Sequence, residues 1–184
     1  TFKAQTTRHR IMGIVNTPEV QIVFSDTPGV LKPNYKLQES MLAFSVSALN
    51  DADVLLYVTD VVEDPEKNAD FLEKVRGMKI PVLLLINKID ESDQKTLGNL
   101  VTKWHGLLPN AEILPISAKN KFGVDILLKR VHELLPESPA FFDKDQLTDK
   151  PAKFFVSEII REKILRYYDK EIPYSVEVVV ERFK

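Results

Sequence analysis

The tetrad Asn87-Lys88-Ile89-Asp90 carries the most specific chemistry in the chain. A carboxylate accepts two hydrogen bonds at once, so Asp90 can take both the ring N1–H and the exocyclic amine of guanine. Adenine offers no such pair of donors, so one group both selects guanine and rejects adenine. Asn87 can bond the other edge of the purine and tie loops together. The aliphatic stem of Lys88 can lie over the base. Alone, the tetrad reads equally well as an Asn-Lys turn capped by an acid, because short motifs carry a real false-positive risk.

Three other segments have chemistry to offer. In Asp26-Thr27-Pro28-Gly29, the acid can hold a water of a Mg²⁺ ion. The N–H of Gly29 can meet a terminal phosphate, since no side chain blocks the approach. A plain Thr-Pro-Gly turn is the bland alternative. In Ser117-Ala118-Lys119, a backbone N–H can donate to the guanine carbonyl, where adenine carries a donor instead. In Gln5-Thr6-Thr7-Arg8-His9-Arg10, a threonine hydroxyl can ligate Mg²⁺ when the loop folds over phosphates. Standing alone, this last segment reads more simply as a polar edge strand or a frayed terminus. His9 reads as a switch or strand-face residue rather than a base.

The elements that must position these residues are legible around them. Pro81-Val82-Leu83-Leu84-Leu85-Ile86 is an uncharged run suited to a strand buried on both faces of a parallel sheet. The tetrad then falls just past the carboxyl end of that strand, where open α/β sheets bind ligands. Residues 10–16 and 20–25 read as an antiparallel hairpin turned at Thr17-Pro18-Glu19. Residues 36–50 read as a helix with Leu37, Met41, Phe44, Val46 and Leu49 as its apolar positions. A strand is expected over 53–59, a helix over 65–76 closed by Gly77, and a helix over 95–108 carrying Trp104. A short strand over 112–116 and a helix over 125–135, stopped by Pro136, complete the series. Strands alternating with helices at this spacing imply an α/β fold with a largely parallel, doubly wound sheet. All three strand-end motifs would then lie along one sheet edge.

Composition bounds the reading without deciding it. The chain has 184 residues with 44% apolar and 28% charged, ordinary values for a soluble globular protein. Its net charge of −2 announces no global basic field for nucleic acid. With no cysteine, disulfides and thiolate metal sites are excluded. No apolar run approaches the roughly 18 residues of a membrane-spanning helix. The opening residues show no apolar core of a signal peptide, and no initiator Met precedes them.

Residues 136–151 change character. Pro136, Pro139 and Pro151 among polar residues read as a linker. Beyond it, residues 152–168 read as a helix with Phe155, Ile159, Ile160, Ile164 and Tyr167 on one side. Residues 173–180 read as a strand. One helix and one strand cannot bury a core alone, so this second domain is expected to be completed by something further.

Taken together, Asp26-Thr27-Pro28-Gly29, Asn87-Lys88-Ile89-Asp90 and Ser117-Ala118-Lys119 resemble the third, fourth and fifth motifs of translation-factor-class GTPases. The stretch from Lys3 to Ile11 is similar to switch I of one branch, the bacterial Era GTPases. Residues 157–163 and 173–178 resemble the opening helix and strand of that family's C-terminal KH domain. The resemblance implies a P-loop-NTPase-type G domain over 1–137, a linker over 138–151, and the first part of a KH domain over 152–184. It implies binding and hydrolysis of GTP, with GDP as product and Mg²⁺ as cofactor. It also implies binding of 16S rRNA and the 30S subunit during small-subunit maturation, the KH domain clamping single-stranded RNA with a GXXG loop. A cytoplasmic monomer is implied, peripheral on the inner membrane surface at most.

Carried over by residue, the resemblance gives Asp26, Thr27, Pro28, Gly29 and Val30 to the phosphate side. Thr6 and Thr7 become switch I, with Thr7 the Mg²⁺ ligand and Asp26 acting through water. Asn87, Lys88, Ile89 and Asp90 hold guanine, supported by Ser117, Ala118 and Lys119. Val30 stands where Ras-like switches carry a water-orienting glutamine, and an apolar side chain cannot hold the nucleophile. No catalytic side chain is therefore assigned.

Two departures qualify the resemblance. No G-x-x-x-x-G-K-[ST] string occurs in the sequence, so the phosphate cradle, with the first strand and helix, is expected upstream of Thr1. The GXXG loop is expected beyond Lys184. The chain therefore reads as an internal portion of an Era protein that by itself neither binds GTP tightly nor grips RNA. Two alternatives stay open: another Era-related GTPase, of the tandem-domain ribosome-assembly or tRNA-modifying branch, and an RNA-binding scaffold whose nucleotide site has decayed.

Overall fold

The computed structural model describes residues 7–30, 33–168 and 176–182. In chain order the elements are β1 (Ile11–Asn16), β2 (Gln21–Asp26), α1 (Lys36–Asn50), β3 (Leu55–Asp60), α2 (Ala69–Arg76) and β4 (Val82–Asn87). They continue with α3 (Gln94–Leu107), β5 (Glu112–Pro115), α4 (Val124–Leu134) and α5 (Ala152–Tyr167). The chain divides into two compact units, Asp51–Glu137 and Thr1–Asn50 with Ser138–Lys184.

In the Asp51–Glu137 unit, β3, β4 and β5 form a parallel sheet in that order. The central strand β4 buries Leu83, Leu84, Leu85 and Ile86, as its uncharged run requires of a strand covered on both faces. Phe71, Leu72 and Val75 of α2, Trp104 of α3 and Val131 of α4 complete the core. The Trp104 ring meets Tyr57 edge-on at 5.7 Å, within the favourable range for aromatic pairs. The register sets Asn87 opposite Asp60, so two strands end level with each other. Helix α2 begins at Ala69 rather than Pro65, residues 65–68 forming a turn before it.

In the other unit, β1 and β2 pair as the expected antiparallel hairpin, from Ile11 opposite Asp26 to Asn16 opposite Gln21. The Thr17 hydroxyl accepts the Val20 N–H at 2.9 Å and fixes the turn. The residues read as a linker lie along β1 as a strap. Ile14 N–H donates to Leu147 O at 2.8 Å, Met12 N–H to Asp149 Oδ1 at 2.9 Å, and Gly13 bridges Thr148. The amide of Gln21 clasps the strap's start: Oε1 accepts from the N–H of Phe141 and of Phe142, and Nε2 donates to Phe142 O. An edge strand exposes unpaired backbone groups, and the strap satisfies some of them.

The described strands fall into two sheets, the antiparallel pair β1–β2 and the parallel β3–β4–β5. In α1 the buried positions are Gln38, Met41 and Ser45, because Gln38 and Ser45 find partners: Gln38 Oε1 accepts from Asn34 N–H and Ser45 Oγ donates to Pro28 O. In α5 the buried residues are Arg161 and Leu165, while Ile159, Ile160 and Tyr167 are exposed. Arg161 tolerates burial through its ion pair with Glu158 one turn earlier. Of the strand expected over 173–180, residues 173–175 lie outside the described residues, and 176–180 join no ladder.

Candidate functional site

The motif residues of the Asp51–Glu137 unit gather where β4 and β5 end. Asn87 is the last residue of β4, and its side-chain oxygen accepts two backbone N–H groups, from Lys88 at 2.8 Å and Ala118 at 3.0 Å. One amide thus ties the tetrad to the Ser117-Ala118-Lys119 loop. Ile89 N–H donates to Ile116 O at 3.3 Å and adds a backbone tie between the same two segments.

Ser117 is buried, and its hydroxyl donates to Asp90 Oδ1 at 2.5 Å. That hydrogen bond, with help from Lys119, holds the exposed Asp90 carboxyl below the usual carboxylate range. Asp90 is therefore ionised at neutral pH, the form that accepts two donors from one base edge. The loop itself is closed by reciprocal hydrogen bonds between Ser117 and Phe122. Gly123 leaves it at φ +75°. A Cβ there would stand 3.0 Å from the Ile116 side chain and 3.1 Å from Pro115 O, so both conformation and space call for glycine.

Lys88 has left-handed backbone, φ 62°, and its ammonium reaches Asp60 Oδ2 at 2.6 Å. Asp60 in turn accepts the N–H groups of Val62 at 3.0 Å and Glu63 at 2.9 Å through Oδ1. Burial opposes the charged form of Asp60, but Lys88 and the two N–H donors outweigh it and keep the carboxyl below its usual range. Sequence reasoning missed Asp60. The available signal was position: it is the charged residue that ends the strand β3, as the polar Asn87 ends β4.

In the other unit, Asp26 ends β2 and lies exposed. Thr7 Oγ1 donates to Asp26 Oδ2 at 3.3 Å, so the hydroxyl and carboxylate singled out for Mg²⁺ are neighbours. Pro28 is fully buried, its carbonyl held by Ser45 of α1 at 2.8 Å. A Cβ on Gly29 would meet nothing within 4 Å, and Gly29 is exposed. Packing among the described residues therefore does not demand a glycine there; a close-lying ligand would. Thr27 and Val30 are half-buried. His9 sits between Phe44 and Phe154, each ring centroid 6.0 Å away. Thr6 lies outside the described residues.

Among the described residues, no helix is long and apolar enough to cross a membrane, and no group of three His, Cys, Asp or Glu could hold a metal. A hydroxyl beside a carboxylate still fits Mg²⁺, a hard cation commonly bound by one or two protein oxygens, phosphate and water.

The family described as 50S ribosome-binding GTPase matches residues 1–88. GTPase Era of Geobacter sp. (strain M21) is 44% identical over 183 residues, 99% of this chain and 62% of that protein. GTPase Era of Lactobacillus helveticus (strain DPC 4571) is 40% identical over 98% of this chain and 60% of its own length. A solved structure of Era in complex with MgGDPNP and nucleotides 1506–1542 of 16S ribosomal RNA matches with a TM-score of 0.87 at 35% identity. It covers 95% of this chain and 60% of that chain. An Aquifex aeolicus Era variant bound to GDP and AlF4⁻ matches with a TM-score of 0.86, 35% identity and the same coverage. The chain thus spans about 62% of the Geobacter relative's length. Nearly every residue of the chain is thus matched, in sequence and in fold, by GTPases named Era.

Proposed function

We propose that the intact protein binds and hydrolyses GTP, binds 16S rRNA, and acts in maturation of the small ribosomal subunit. The observation that carries this is the Asp90–Ser117–Asn87–Ala118 frame. An ionised carboxylate, fixed by a buried hydroxyl, stands on loops that one asparagine amide ties together. This is a site for a base that presents paired donors. Residues 1–137 serve as the G domain, 138–151 connect, and 152–184 begin a KH domain. The Era structure holding 16S rRNA supports the RNA reading by kinship.

Asp26, Thr27, Pro28, Gly29 and Val30 face the phosphates in this reading, with Thr6 and Thr7 as switch I. Thr7 and Asp26 supply oxygen toward Mg²⁺, Asp26 through a water. When bound, Mg²⁺ neutralises charge on the phosphate oxygens. Gly29 is exposed, and without a side chain it leaves room for a terminal phosphate to approach its N–H. Val30 orients no water, so the nucleophile is placed by backbone, ions or a partner. Converting Val30→Gln is expected to leave single-turnover hydrolysis without a large gain.

The decisive experiment is a nucleotide exchange at Asp90. In the intact protein, Asp90→Asn turns an acceptor pair into an acceptor and a donor. Preference should move from GTP to xanthosine triphosphate, whose base presents the complementary pattern. Retained GTP preference in the variant, or equal binding of ATP by the native protein, would defeat the assignment.

A further inference from the structure

We propose that Asp60 is a positioning residue of the guanine site, holding Lys88 in the posture in which its stem covers the base. The inference rests on the guanine reading above and adds to it a residue from a strand outside the three motifs.

The register makes the contact. In the parallel sheet Asp60 lies opposite Asn87, so the residue following Asn87 emerges beside the end of β3. Lys88 leaves β4 with left-handed backbone, a conformation uncommon for a lysine. Its ammonium then lands 2.6 Å from Asp60 Oδ2. Glu91 and Glu63 add weaker attraction to the same ammonium.

Asp60 is suited to this task because it is itself immobilised. Its other oxygen takes two backbone N–H groups of the loop that follows β3. The carboxylate is therefore fixed by main chain before it meets the lysine. A free lysine stem samples many rotamers and loses that freedom when it stacks on a base. Pinned at both its backbone and its ammonium, the Lys88 stem has already lost it. Affinity gained this way comes from preorganisation rather than from a new contact to the ligand. The lysine is about half exposed, with its side chain at 46%, so the effect is modest and sensitive to salt.

Asp60→Asn tests this in the intact protein, because asparagine keeps an oxygen for the Val62 and Glu63 N–H groups and replaces the oxygen that faces Lys88 with a neutral amide donor. Release of a fluorescent N-methylanthraniloyl-GDP should accelerate about two- to five-fold, the range of a partly exposed ion pair. Preference for GDP over ADP should stay unchanged, since Asp90 is untouched. The difference from wild type should shrink as salt is raised. In a Lys88→Met background, which keeps the stem and removes the charge, Asp60→Asn should add nothing. Unchanged release in Asp60→Asn, or equal acceleration in the Lys88→Met background, would overturn the role of Asp60 while leaving the guanine site standing. A wild-type protein that fails to hold GDP would remove both.

Discussion

The Ser117 hydroxyl donates to Asp90 across a gap of 27 positions in sequence and 2.5 Å in space. Ser117 also accepts the Asn120 N–H at 3.2 Å, so its orientation is set from its own loop. Ser117→Ala removes the donor that steadies Asp90. The expected result in the intact protein is a roughly three- to ten-fold loss of GDP affinity, in line with a hydrogen bond to a charged group weakened by exposure. Selectivity for guanine over adenine should survive, because Asp90 remains. Equilibrium titration with GDP and ADP reads both quantities.

The pH dependence follows from the direction of the Asp90 shift. Its folded carboxyl titrates below its ordinary value, held there first by Ser117. In the proposed guanine site ionised Asp90 is the binding form, so guanine affinity should be flat from neutral pH down to the ordinary carboxylate range. It should fall only below that range. At the other extreme, burial against Trp104, with a smaller contribution from Glu63, pushes the Tyr57 phenol up to about 12. A raised folded value means that its contribution to stability is complete below the ordinary 10.0 and is lost as pH rises through about 12. Ultraviolet titration should therefore show a late phenolate that is missing in Tyr57→Phe.

The strap over β1 hangs on Gln21. Its amide engages Asn16, Phe141 and Phe142 at 2.7–3.0 Å. Gln21→Ala should cost about 1–3 kcal/mol, because the N–H groups of Phe141 and Phe142 lose their acceptor. Urea unfolding measures the loss. Hydrogen exchange should quicken at Phe141, Phe142 and Ile14, and stay unchanged in β4.

Two glycines should respond to alanine in opposite directions. Gly123→Ala forces a left-handed alanine against Ile116 and Pro115 O and should destabilise by about 1–3 kcal/mol. Gly98 lies inside α3 with nothing within 4 Å of its would-be Cβ. Gly98→Ala should stabilise by about 0.5–1 kcal/mol through helix propensity. Thermal melts of the two variants on either side of wild type would confirm the pair.

Much of this was legible in residues alone, where local and non-local demands coincide. An uncharged run such as 82–86, opened by a proline and closed by polar residues, suits a strand covered on both faces, and β4 is that strand. Helices α3 and α4 fall within one residue of expectation, since Asp93 caps α3 through Thr96 N–H and Gly123 opens α4. The apolar stripes of α1 and α5 do not by themselves mark the buried residues, because hydrophobicity is not burial: Gln38, Ser45 and Arg161 go inside when partners there satisfy them.

From its sequence alone, the chain determined the order of its strands and helices and the identity of the groups that could meet a guanine base. Hydrophobic period and side-chain chemistry are properties of neighbours along the chain, and they need no fold to be read. Only tertiary structure decided that Asp60 stands level with Asn87, that Ser117 aims at Asp90, and that residues 138–151 clothe an edge strand. Those relationships depend on strand register and on which unpaired backbone groups lie within reach, and both arise only when distant segments are brought side by side.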